Sequence, residues 1–444
     1  MFKFTLFLLP CAVLAVEPCR IEIVDKENGW PVPLVELRST HETRHVSDNL
    51  GLIAIDDPDL LGREVWFHVK GHGYGVPKDG FGYEGVRTTL KPGGNFRIEV
   101  SRRILAKRLG RLTGAGQFAE GEKLGIAPLL PETGVFGCDS VLTARHDGKL
   151  FFLWGDTTLP GYPLGIFHSS AATTPLLPLR EFKPPLSMPY TYFRDAKEKP
   201  RGVAQMPGEG PTWLTGMISF PENRLVATYS KIRGFLEEYE VGLCAWAPDK
   251  AMFVPEKVIW KKENGAKPLL LKGHPVRWKD ENGKAWILIG DPFPEARIPD
   301  DFESWKNPAT WEKVQSPAAP RTAGGEEIKP HRGSIAWNSF RKRWTAIFTQ
   351  NFGKPSAFGE IWYAEADSPF GPWDSAVKVL SHDNYTFYNP RIQTDLTPDN
   401  VSFILFEGTY TAEFSDHAHP TPRYNYNQIL YRLDLDDARL GLKR

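Results

Sequence analysis

The 444-residue chain carries 54 Lys plus Arg against 54 Asp plus Glu, a formal net charge of zero. With no net field to draw it to phosphate backbones or anionic lipid, nucleic acid is not an expected partner. Aromatics make up 12% of residues, including 14 Trp, and there are 40 Gly and 38 Pro, which points to a mainly β protein of short strands and tight turns, long enough for one small and one large domain.

The chain opens "MFKFTLFLLPCAVLAVEPC". Lys3, the apolar stretch that follows and the exit Val13-Leu14-Ala15 predict a secretory signal over residues 1–15, hence a secreted or periplasmic protein. The stretch is too short to span a bilayer, and no other apolar run approaches membrane length. Pro10 before Cys11 and Pro18 before Cys19 argue against a lipoprotein site. Beyond the signal Cys19, Cys138 and Cys244 remain, an odd and widely spaced set that fits neither a disulfide framework nor a zinc site.

Residues 18–103 alternate in short pieces, "RIEIVD", "PVPLVELRS", "REVWFHVKG" and "NFRIEVSRR", separated by turns such as "KENGW" and "KPGG". The pattern predicts a small β-sandwich. The order "GWPVPLVELRS", "SDNLGLIAID", "FHVKGHGY" and "LKPGGNFRIEV" resembles the transthyretin-like or carboxypeptidase-regulatory-like sandwich, which implies an accessory module. Within it, residues 71–85 gather His72, Tyr74, Phe81 and Tyr83 among glycines. That loop is either a contact to the larger domain or a ligand, or a long hairpin tip. Residues 102–111, "RRILAKRLGR", place Ile104, Leu105 and Leu109 at helical spacing, predicting a short amphipathic helix with solvent-facing charges inside a linker over 104–133.

From residue 134 to 440 one plan recurs: a strand, a polar turn and a more apolar strand. Between equivalent polar ends the spacing is 17 residues for Asp139 to Asp156, Thr212 to Tyr229, His274 to Asp291 and Gly333 to Gln350, and 18 for Asn389 to Glu407. Third strands follow, as in "GIFHSSA", "VGLCAWA" and "EIWYAEA". Five such units predict a five-bladed β-propeller. The fifth unit ends at "QILYRLDLDDARL" without an outer strand, so a strand from upstream of Gly134 is available to close the ring. Antiparallel pairing then sets Asp139 beside Asp156, His274 beside Asp291 and Asn389 beside Glu407 around one polar rim.

Five-bladed propellers with acidic rims resemble glycosidases of the arabinanase, β-xylosidase and invertase type, and "GVFGCDSVL" and "GEIWYAEADSPFGPW" resemble short segments of that group. The resemblance implies that Asp139 is the base or nucleophile and that a Glu elsewhere is the acid. The second and third units open with "EGPTW" and "GHPVRW" where the group offers Asp and Glu directly, so position does not assign the acid. Glu209 on a glycine-flanked loop and Glu407 at the end of an apolar strand are the first acid candidates, with Asp156, Asp291 and Glu360 behind them. Lys231, His274, His331, Arg332, Asn389 and Arg391 are candidates to hold sugar hydroxyls or a uronate. Trp213 and Tyr388, with Trp154 and Tyr410, are candidates to stack on sugar faces. No cofactor is expected; a structural calcium is compatible, although neither an Asp-rich calcium loop nor a His-Cys cluster is present. The expected function is a glycoside hydrolase acting on an oligo- or polysaccharide. Its rivals are a non-catalytic glycan-binding propeller and a polysaccharide lyase with Tyr388 or His331 as base and Arg332 or Arg391 against a uronate.

Overall fold

A computed structural model of the protein describes residues 16–126, 133–176, 182–354 and 356–442. The predicted signal over 1–15 lies outside them. The fold is mainly β. Up to Arg102, two four-stranded sheets form. One contains Cys19–Asp25, Leu52–Ile55, Tyr74–Gly75 and Asn95–Arg102, the other Glu36–Ser39, Arg44–Val46, Glu64–Lys70 and Gly85–Thr89. Their strands alternate as a two-residue period demands, and the inward set, including Ile21, Ile23, Leu37, Ile53, Phe67 and Ile98, makes one hydrophobic cluster.

Among the described residues that follow are five four-stranded antiparallel sheets. They start from Leu142–His146, Thr212–Phe220, His274–Lys279, Pro330–Asn338 and Thr386–Ile392. These first strands touch in succession. The last also meets the first, because Arg391 Nη2 donates to the Thr143 carbonyl at 3.0 Å and Arg145 Nε to Asp395 at 2.9 Å. A three-stranded ribbon, Gly137–Cys138 with Thr157–Leu159 and Tyr162–Ile166, sits beside the first sheet.

The fifth sheet takes its fourth strand from far upstream. Lys107–Arg111 pairs antiparallel with Asn427–Asp434, Arg111 opposite Ile429 and Lys107 opposite Arg432. The amphipathic helix expected over 102–111 is therefore absent. An unpaired strand edge satisfies more backbone than one helical turn can, and tertiary pairing overrides local spacing. Of the charges there, Arg103 is exposed as expected, but Arg102, Arg108 and Arg111 are buried. Arg108 is buried, and its guanidinium donates to the carbonyls of Pro33, Leu34, Gly71 and His72 and to the Tyr431 hydroxyl. Arg111 is likewise buried, donating to the carbonyls of Thr113 and Ala115, while its backbone N–H donates to Asn49.

Of the 71–85 loop, the beginning meets the larger unit: His72 Nε2 lies 2.7 Å from the Tyr410 hydroxyl. Phe81 and Tyr83 are exposed. A register shift between Tyr388 and Arg391 sets Arg391, not Asn389, opposite Glu407. The bulge thus displaces Asn389 along the strand from the position opposite Glu407. No helix of the described residues is long and apolar enough to cross a membrane.

Candidate functional site

The ends of the inner strands and the ribbon surround a cavity of about 480 Å³ whose lining includes Asp139, Asp156, Trp213, His274, Asp291, His331, Arg332, Tyr388, Asn389 and Glu413. The apolar run ending in Trp154 is buried, and the chain leaves the core at Gly155-Asp156. There the backbone pairs with Asp139: Gly155 N–H donates to the Asp139 carbonyl at 2.9 Å and Asp139 N–H to the Asp156 carbonyl at 3.2 Å. Two carboxyl groups are thereby fixed side by side.

Their surroundings differ. Asp139 Oδ2 accepts from the Tyr388 hydroxyl at 2.7 Å, and Oδ1 is buried without a partner among the described residues. Burial, and then the charge of Asp156, push its pKa up to about 7 against the hydrogen bonds of Tyr388 and Tyr426. Asp156 accepts from Trp213 Nε1 at 3.1 Å. Burial raises its pKa to about 6, opposed by the Trp213 bond and aided by Glu413. Both carboxyls thus hold their protons to higher pH than free aspartates do.

The rest of the lining is polar and held from behind. Asn389 adopts a left-handed backbone, φ 49°, and its Nδ2 donates to Ser140 Oγ at 2.6 Å; Ser140 is itself left-handed at φ 52°. Asp291 accepts from Arg332 Nη1 at 2.6 Å and from the Gly333 N–H at 2.8 Å. Burial still raises its pKa. His274 and His331 each have an Nδ1 without a partner among the described residues. Burial lowers both pKa values, so the rings are neutral and can accept as well as donate. His331 stacks on Phe358 with centroids 4.5 Å apart.

Several expected site residues stand elsewhere. Glu209 is exposed on the loop before the second sheet and does not line the cavity. Glu407 is fully buried, accepts from Gln393 Nε2, and has a pKa pushed up to about 7 by that burial against Arg391 and Gln393. Glu360 is buried and paired with Lys378. Lys231 is buried and donates to the carbonyls of Met206 and Gly210, closing the loop that carries Glu209. Arg391 is a strand-to-strand tie, and Trp154 and Tyr410 are core. In each case the side chain lies on the buried face of its strand or beyond the end that meets the cavity.

Glu413, Phe414, Tyr426 and Ser140 line the cavity without having been expected. The second strand of the fifth sheet runs Phe403–Thr411, past Glu407, so its end at the rim is Glu413. The repeat spacing placed that end too early. A readable signal was "EGTYTAEF", where the small residues of the strand continue to a second Glu. Burial raises the Glu413 pKa, although the residue stands exposed at the mouth.

No protein-family model matches the chain, and no curated protein matches it. Among solved structures, an exo-1,5-alpha-L-arabinanase from a bovine ruminal metagenomic library aligns at 14% identity and TM-score 0.39, covering 68% of this chain and 95% of that one. A GH43_1 enzyme from Xanthomonas citri aligns at 10% identity and TM-score 0.37, with 69% and 90% covered. Cellvibrio cellulosa alpha-L-arabinanase aligns at 9% and 0.38, with 63% and 89% covered. At this overlap the likeness assigns no activity to the chain.

Proposed function

We propose that residues 134–440, with the strand Lys107–Arg111, form a five-bladed β-propeller carried on a transthyretin-like β-sandwich, and that the cavity hydrolyses glycosides of neutral sugars in a secreted or periplasmic setting. Five successive four-stranded sheets and the shared core of the two N-terminal sheets support the architecture. The observation that carries the chemistry is the Asp139–Asp156 pair, two carboxyls with raised pKa values in an open cavity beside Trp213, Tyr388 and two neutral histidines.

In this reading ionised Asp139 takes a proton from water, or attacks directly, as the anomeric carbon gains one oxygen and loses the leaving oxygen. Protonated Glu413, at the mouth, gives its proton to the leaving oxygen. Asp156 raises the basicity of Asp139 by repulsion, and Tyr388 and Trp213 orient the two carboxyls. Asp139, Asp156 and Glu413 disfavour an anionic sugar, since Arg332 is already paired with Asp291. The same pairing, with the inward placement of Arg391, weighs against a lyase acting on uronates.

The test is Asp139→Asn, assayed on a panel of neutral plant and microbial glycans. Turnover per folded molecule falls about 100-fold or more while glycan binding persists. Full activity in that variant overturns the role of Asp139, and binding without cleavage by the unaltered protein makes the cavity a binding module.

A further inference from the structure

The cavity has two unlike walls. The first two sheets and the ribbon bring Leu142, Leu164, Trp213, Leu214 and Leu236 to its lining, whereas the third to fifth sheets bring His274, Asp291, His331, Arg332 and Asn389. Phe414, at the mouth, is the apolar exception on that second side. The carboxyl pair is tied to both walls, Asp156 by Trp213 and Asp139 by Tyr388. Beside the leucines the polar groups are already engaged: Trp213 gives its indole N–H to Asp156, and Thr215 Oγ1 accepts from the Gly273 N–H at 2.8 Å. Across the cavity the Nδ1 atoms of His274 and His331 keep no partner among the described residues.

Two of the leucines stand where a core would not put them. Leu164, in the ribbon, and Leu236, in the turn after Arg224–Arg233, have left-handed backbone at φ 53° and 57°. That conformation disfavours a bulky side chain and suits Gly or Asn. Leu236 is nevertheless 61% exposed, and Phe235 before it is 95% exposed. A sugar hydroxyl loses water on entering a cavity and needs a hydrogen-bond partner there. Leucine offers none, whereas an alkyl or aryl group gains by contact with it. The two walls therefore match a ligand with two unlike ends.

We infer that the substrate is a glycoside of an apolar aglycone, its sugar turned to the wall of His274, His331 and Asn389 and its aglycone lying on Leu164, Leu214 and Leu236. This rests on the glycoside reading of the cavity and narrows it to a sugar that carries an alkyl or aryl group. Leu236 becomes a specificity-determining residue with no part in the reacting bond.

The experiment is calorimetric titration of the full chain, in an Asp139→Asn background that stops turnover. The probes are methyl, butyl and hexyl glycosides of xylose, arabinose, galactose and glucose in both anomers, beside the disaccharide and trisaccharide of each sugar. For the sugar that binds, affinity rises about tenfold or more from methyl to hexyl. Leu236→Asn suits the left-handed backbone and keeps the melting temperature. It removes most of that rise and leaves affinity for the methyl glycoside unchanged, while Leu236→Met keeps the rise. Equal affinity along the alkyl series, a gain with sugar units in place of alkyl length, or an equal loss for every member in Leu236→Asn overturns the aglycone site and leaves the glycoside cavity standing. No saturable binding by any alkyl glycoside or oligosaccharide overturns the aglycone site and the glycoside reading together.

Discussion

A β-carbon placed on Gly155 would lie 2.2 Å from Asp139 Oδ1, and its three nearest neighbours would all be atoms of Asp139. The glycine is required by the neighbouring carboxyl rather than by its own backbone. Gly155→Ala therefore swings the Asp139 side chain off Tyr388 while sparing the sheet behind it. The expected result is a loss of turnover of about 100-fold or more, with a melting temperature within a few degrees of the parent. Turnover per folded molecule beside a melting curve checks it, and unchanged turnover would show that the position of Oδ1 is immaterial.

The Asp139 carboxyl also sets a pH dependence of stability. Its pKa is near 7 in the fold against 3.8 when unfolded, so the folded state holds the proton more tightly. The fold is then most favoured below about pH 4 and loses that contribution as pH rises through 7. Asp139→Asn removes the loss. At pH 8 the variant is expected to be more stable than the parent by on the order of 1 kcal/mol or more, and at pH 4 equal to it, as read by denaturant titration at the two pH values.

Glu413→Gln separates acid from base chemistry. If Glu413 protonates the leaving oxygen, the variant loses about 100-fold or more on unactivated glycosides. It keeps most of its rate on aryl glycosides whose leaving group departs without a proton. Equal loss on both substrates assigns the proton to another group.

Arg108 joins the two units through four carbonyls and a tyrosine hydroxyl, with no carboxylate among its hydrogen-bond partners in the described residues. Arg108→Met leaves those buried acceptors unpaired and is expected to lower stability by about 3 to 5 kcal/mol. Calorimetry of the parent should show one cooperative transition. A separate early transition in the variant would mean that the units are only loosely joined.

What was legible in the sequence follows from what repeats. The 17-residue hairpin spacing set Asp139, Asp156, His274 and Asp291 at one rim, and all four line one cavity, because antiparallel pairing ties both ends of a hairpin to one edge. Asn389 and Glu407 failed as a pair because a bulge changes the count without changing composition. Glu209 looked like a site residue because glycines flank it, yet glycine there serves a loop held by Lys231. The fifth unit's missing outer strand pointed to a closing strand from upstream, but the segment Lys107–Arg111 itself was misread as helix because its partner is distant in sequence.

That strand also imposes an order on biosynthesis. Lys107–Arg111 leaves the ribosome before any of the five sheets, whereas its partner Asn427–Asp434 is made after four of them. A nascent strand with an open edge invites pairing with the wrong chain. In the finished fold Arg108 is bonded to Pro33, Leu34, Gly71 and His72, and Asn49 both donates to and accepts from the Arg111 backbone. The N-terminal sheets therefore hold the closing strand by bonds that do not involve the last sheet.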